Sequence, residues 1–321
     1  LWGFNGYFQS MLWSPGMALL ANWWPGHRRG FATGLANGFS GLGQVCAALA
    51  VSLSIIILPG FGWKAGFIIP AAIMILTGII YLFFIKDSPK KIGLKDYVDP
   101  DAVKMEKDEE LRELVSQKGK LYPYIHLFKQ WRFDCWLLII ASSSIARYGL
   151  LTWIPTYYVQ NFGVDIKEGA LGTILLPLGM AFGTFIIPTI SDKYFSENRL
   201  PMVIICAAAA GLTVFIFRGI DPGPIAGMLL FSAGFFIYGI NGIVWAYAID
   251  VGGRVFAGTA AGILDCFAYL GAAVQAIIFG SVLTSTGNWT LVFTAIVGVC
   301  AGMILLSIIA GWGLNKKKDI V

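Results

Sequence analysis

Cys135–Val159 reads CWLLIIASSSIARYGLLTWIPTYYV, an apolar run whose single charge, Arg147, stands at its midpoint. At ~1.5 Å of helix rise per residue, roughly 18 Å of helix lies on either side of the arginine. That length crosses the hydrocarbon core of a bilayer. A guanidinium at such depth costs at least ~2.5–3.5 kcal/mol unless it meets a wet cavity or a partner. Its planar fork suits a phosphate or a carboxylate. The stretch predicts a membrane-spanning helix with an anion site at its centre.

Composition extends this reading to the whole chain. Of 321 residues, 57% are hydrophobic and 13% charged, against about 45–50% and about 25% in soluble domains. The expectation is an all-α membrane protein. The formal net charge of +5 comes from basic residues spread over loops, which excludes a nucleic-acid-binding face. Cys46, Cys135, Cys206, Cys266 and Cys300 lie in or beside apolar runs without metal-like spacing. They read as small free hydrophobes. The two histidines, His27 and His126, fall in loops, and no nucleophile–base set, phosphate-cradling glycine loop or metal cluster is visible. The chain is therefore not read as an enzyme, and no cofactor or metal is expected.

Nine spans are expected, over residues 1–23, 30–58, 63–85, 133–159, 168–190, 200–218, 224–249, 256–284 and 289–313. Gly and Pro mark the gaps, as at Pro59-Gly60 and Asp221-Pro222-Gly223-Pro224. One set of loops carries nineteen Lys and Arg, including Arg28, Arg29, the Lys86–Arg132 segment and Lys316–Lys318. The opposite set carries three: Lys64, Lys167 and Arg218. The positive-inside rule places the basic side and the C-terminus in the cytoplasm. Residues 86–132 form a cytoplasmic linker, in which 101–118 reads as a solvated helix charged all round.

An internal repeat divides the chain. At an offset of 228, Gly30, Gly34, Phe39, Leu42 and Gly43 fall on Gly258, Gly262, Phe267, Leu270 and Gly271. At 226, Trp63 and Phe67 fall on Trp289 and Phe293. The pair 30–85 thus repeats as 256–313 on the far side of the linker. Both copies open Gly-x-x-x-Gly, which lets a neighbouring helix approach closely. Two homologous bundles are expected: 1–85 as the second half of the first, and 133–321 as a complete six-helix bundle. Three more helices are expected before Leu1. Two six-helix bundles around a central pathway are the plan of major facilitator transporters. The repeat also sets Asn37 opposite Asp265.

Particular motifs narrow the class. Asn5-Gly6-Tyr7-Phe8-Gln9 with Trp13-Ser14-Pro15, and Arg147-Tyr148-Gly149 with Trp153 and Pro155-Thr156-Tyr157, carry the resemblance. Ser191-Asp192-Lys193 with Asn198-Arg199, Ile237-Tyr238-Gly239, and Gly258-Thr259-Ala260-Ala261-Gly262 with Tyr269-Leu270-Gly271 extend it. Together they resemble the organophosphate:phosphate antiporter family of the major facilitator superfamily, from its fourth helix to its twelfth. The resemblance implies nine of twelve helices of that fold, in a bacterial plasma membrane. It also implies exchange of a phosphorylated metabolite for inorganic phosphate by rocking of two halves. Arg147 then grips the phosphate, and Tyr238 and Tyr269 line the cavity. In the family's fifth-helix signature this chain keeps Arg29-Gly30 and Asn37 but has Ala36 for Trp and Ser40 for His.

Further substrate-side candidates are Asp265, Asn37, Trp13, Ser40 and Gln9. Asp265 has three readings: a partner for Arg147, a contact for a polar substrate group, or a proton carrier. Asp192, Arg199, Asp250 and Arg254, at cytoplasmic helix ends, read as conformational latches, with Asp192 placed to face a helix N-terminus or an arginine. The expected partners are a small anion, inorganic phosphate or a proton, and lipid, for a monomeric protein that binds no nucleic acid. Two rival functions stand beside exchange: a proton-coupled carrier of a sugar acid, favoured by Ser40 and Asp265, and a transporter-like sugar-phosphate sensor.

Overall fold

The computed structural model describes residues 2–25, 28–94, 102–163 and 174–312, apart from some side chains within helices, that of Arg254 among them. The long helices are α1 (Trp2–Trp23), α2 (Arg29–Ile57), α3 (Ala65–Phe84), α4 (Ala102–Lys118), α5 (Tyr122–Phe128) and α6 (Trp131–Phe162). They continue with α7 (Leu175–Tyr194), α8 (Leu200–Phe217), α9 (Pro224–Gly253), α10 (Val255–Thr286) and α11 (Trp289–Gly311). Among the described residues, seven of these helices are long and apolar enough to cross a membrane: α3 and α6 to α11. The helices α1 and α2 occupy the first two expected stretches but are not among those seven.

Helix ends follow local chemistry. The long helix α6 has Asp134 in its first turn, where a carboxylate complements the helix dipole. It ends at Gly163, whose φ of 63° takes the left-handed turn that glycine permits. Asn288 caps α11, its side-chain oxygen accepting from the Thr290 N–H at 2.9 Å. Residues 168–173 and 316–318 lie outside the described residues.

The spans expected over 224–249 and 256–284 are α9 and α10, which meet at a kink rather than a loop: Gly253 has φ 58° and ψ −153°, a conformation open to glycine. One expectation is corrected. The linker helix α4 is not solvated all round, because Leu111 is buried and Leu114 and Val115 are half-buried.

Glycines decide how the helices meet. A Cβ on Gly179 would lie 1.9 Å from the Phe231 carbonyl oxygen, and one on Gly183 1.9 Å from that of Phe235. From the other side, a Cβ on Gly234 would lie 2.3 Å from the Leu176 oxygen. So α7 and α9 touch backbone to backbone, the close packing that small residues allow in membranes. In the same way Gly271 of α10 fits against Ala141 of α6, and Gly34 of α2 against Thr184 of α7. Ser14 of α1 lies against Gly258 and Gly262 of α10. These contacts bring α6, α9, α10 and α1 around one region and set α2 against α7.

Candidate functional site

Arg147 stands near the middle of the 32-residue α6 and is half-buried. Its guanidinium carbon lies 4.6 Å from the centre of the Tyr148 ring and 4.2 Å from that of Tyr238 on α9. Two aromatic faces stabilise a cation electrostatically, and more so away from water. Its Nε is buried with no hydrogen-bond partner. Among the described residues no carboxylate forms an ion pair with it. Asp265 of α10 is half-buried and feels the charge of Arg147 beyond ion-pair distance. Tyr269, one turn further on, is exposed and lies in electrostatic reach of Tyr148, Asp265, Arg147 and Tyr238. Three helices thus gather Arg147, Tyr238, Asp265 and Tyr269.

A fourth helix contributes Trp13. Its ring meets Trp245 of α9 edge-on, with centroids 5.1 Å apart, and its Nε1 is buried without a partner. Among the described residues no ring contact, ion pair or hydrogen bond joins the other candidates to this group. Asn37 is buried in α2 and donates to the Thr33 carbonyl at 2.8 Å. Gln9 and Ser40 are exposed. Tyr148 and Trp245 are added by the structure. Tyr148 was legible as the neighbour of Arg147, whereas Trp245 carried no signal beyond its aromatic character.

The second polar cluster lies at the Trp131 end of α6's bundle. Arg199 is buried between two carboxylates: its Nη1 lies 2.7 Å from Asp192 Oδ1, and its Nε 2.9 Å from Asp250 Oδ2. Burial works against the charge of Arg199, but the carboxylates of Asp250 and Asp192 outweigh it and hold the proton more firmly than usual. Asp192 Oδ2 also accepts from the Phe31 N–H of α2 at 2.9 Å. Asp250 Oδ1 lies 3.5 Å from Arg29 Nη1. A Cβ on Gly30 would stand 2.3 Å from Asp192 Oδ1, so only glycine lets α2 come this close. The cluster ties α2 to the ends of α7, α8 and α9. The Arg254 side chain lies outside the described residues.

A separate cavity of about 250 Å³ opens at the Phe162 end of α6, lined by Trp153, Thr156, Gln160, Leu283 and Thr284. It carries no charge and is not the anion site.

Long apolar helices packed through glycine around a polar centre define a polytopic membrane protein. Residues 1–276 match the profile of the Major Facilitator Superfamily, and the chain belongs to that superfamily. It is 26% identical over 323 residues to the glycerol-3-phosphate transporter of Bacillus subtilis (strain 168), covering 99% of this chain and 71% of that protein. It is 28% identical over 332 residues to the probable hexose phosphate transport protein of Chlamydia pneumoniae, covering 99% and 71%. It is also 28% identical over 320 residues to the membrane sensor protein UhpC of Escherichia coli (strain K12), covering 95% of this chain and 69% of the sensor.

Proposed function

We propose that this protein carries a small phosphorylated organic anion across a bacterial plasma membrane by alternating access, in exchange for inorganic phosphate. The observation that carries this reading is Arg147: a guanidinium at mid-helix, backed by two aromatic rings, with a buried Nε and no ion pair among the described residues. A permanent cation kept there without a salt bridge suits an anion that comes and goes. Two of the relatives are named as phosphate-ester carriers, which supports the same cargo. In this reading Tyr238 and Tyr269 line the site, Trp13 closes it from α1, and Asp265 tunes selectivity. Asn37, Ser40 and Gln9 act at most at its edges. The Asp192–Arg199–Asp250 cluster with Arg29 latches the cytoplasmic side. The domain plan is two bundles joined by the linker, with nine spans in residues 1–313, the C-terminus in the cytoplasm, and a monomer as the working unit.

The test is exchange in proteoliposomes loaded with labelled inorganic phosphate. Arg147→Lys keeps the charge but loses the bidentate fork, and exchange is expected to fall at least a hundredfold. Normal exchange in that variant removes Arg147 from the site. A second reading, a sensor, is favoured by the likeness to UhpC. It predicts phosphate-ester binding without flux in the same liposomes. Uptake driven by a pH gradient and indifferent to phosphate would instead favour the carboxylate carrier.

A further inference from the structure

The helices α6 and α9 run antiparallel in a register fixed at two levels. Trp136 stacks on Tyr247 with centroids 4.2 Å apart, and Arg147 packs on the Tyr238 ring. Close to the Tyr238 level the Ser143 hydroxyl donates to the Ile237 carbonyl at 3.3 Å. Three residues back along α6 from Arg147 is Ser144, and three forward along α9 from Tyr238 is Asn241. Antiparallel register puts both at one level, a turn towards the Trp131 end. A spacing of three or four residues keeps Ser144 on the face of Arg147, and Asn241 on the face shared by Tyr238 and Trp245.

Both side chains are almost fully buried, Ser144 at 1% and Asn241 at 3% exposure. Ser144 Oγ and Asn241 Oδ1 have no hydrogen-bond partner, and neither has Trp13 Nε1 beside Trp245. Buried polar atoms are otherwise paired about nine times in ten. Ser144 and Asn241 stand about one turn from Arg147, and Trp13 packs on Trp245 a turn further along α9; unpaired buried groups beside an arginine that has no ion pair among the described residues point to a polar occupant.

We propose that Ser144 and Asn241 form a hydroxyl-reading subsite that selects phosphate esters bearing a hydroxyl on the carbon next to the ester carbon. The inference rests on the phosphate-ester reading of Arg147. Asn241 Oδ1 accepts, Ser144 Oγ both accepts and donates, and Trp13 Nε1 donates, so the complement is an O–H group rather than a second anion. One helical turn, about 5 Å, separates this level from Arg147. That matches the distance from a phosphate group to a hydroxyl one carbon beyond the ester. A ligand lacking the hydroxyl leaves the buried groups unpaired, and sites built to bond a hydroxyl reject such analogues strongly.

The experiment uses the full chain in detergent, with ligand affinity read by isothermal titration calorimetry. The ligands are glycerol-3-phosphate and n-propyl phosphate, which lacks the hydroxyls. The unmodified protein is expected to bind the hydroxylated ester at least tenfold more tightly. In Asn241→Leu and in Ser144→Ala that ratio is expected to fall to about twofold or threefold. Ser144→Ala removes one oxygen from a tight site and carries the test alone if Asn241→Leu does not fold. A ratio near one in the unmodified protein, or one that survives in every folded variant, overturns the subsite. Liposome flux keeps the two ideas apart: flux without discrimination sinks the subsite alone, and discrimination without flux sinks transport alone.

Discussion

The guanidinium of Arg147 rests on the ring of Tyr238 at 4.2 Å, so the aromatic face, more than the phenol oxygen, supports the charge. Tyr238→Phe keeps that face and is expected to change the KM for exchange by less than about threefold. Tyr238→Leu removes it, and KM is expected to rise about tenfold, within the range for a cation over a ring away from water. Equal effects of the two substitutions would assign the role to the hydroxyl instead.

Arg199 and Arg29 both reach Asp250, but they are not equivalent. Arg199 is buried and binds two carboxylates, and removing one partner of such a network is destabilising by about 3–5 kcal/mol. Arg29 makes one longer contact, at 3.5 Å, to a carboxylate that is a third exposed and keeps its bond to Arg199 when Arg29 is removed. Thermal unfolding in detergent is expected to show a drop of many degrees for Arg199→Gln and a small one for Arg29→Gln. Similar drops would mean that Asp192 and Asp250 do not depend on Arg199.

Gly183 and Gly302 are both helical glycines with opposite surroundings. A methyl group on Gly183 would meet the Phe235 carbonyl at 1.9 Å, whereas nothing lies within 4 Å of one on Gly302. Gly183→Ala is expected to lower the folded, monodisperse yield severalfold on size-exclusion chromatography. Gly302→Ala is expected to match the unmodified chain or to gain slightly from helix propensity.

The basic loops imply a fixed orientation in the membrane. In an otherwise cysteine-free background, Asn288→Cys is expected to react with an impermeant maleimide applied to intact cells. Lys193→Cys is expected to react only after the membrane is opened. The reverse pattern would invert the assignment of the Asp192 cluster to the cytoplasmic face.

Arg147 was legible in the sequence because a charge inside an apolar run has few explanations. Tyr238 and Tyr269 followed from resemblance and Asp265 from the internal repeat, and the structure gathers them with Arg147. Gln9 and Ser40 are exposed, as Tyr269 is, and no hydrogen bond, ion pair or ring contact joins them to that group among the described residues. Register within a helix does not tell which face a distant helix will cover. Asp192, Arg199 and Asp250 were read as a latch, but Arg29 was not linked to them. It belongs to a helix on the other side of the linker, and only the glycine at position 30 hints that something must approach there. The break between 249 and 256 was legible from Asp250 and Arg254, but its narrowing to a kink at the single residue Gly253 was not.

The glycine seam between α7 and α9 has a mechanical consequence. Two rods in backbone contact at Gly179, Gly183 and Gly234 have no side-chain cushion to deform, so they behave as one stiff strut. Any swing of α2 must then pivot outside that strut, and its terminus is held to the strut's tip by the carboxylates of Asp192 and Asp250. Release of those two groups frees the lever at its end and leaves its length intact.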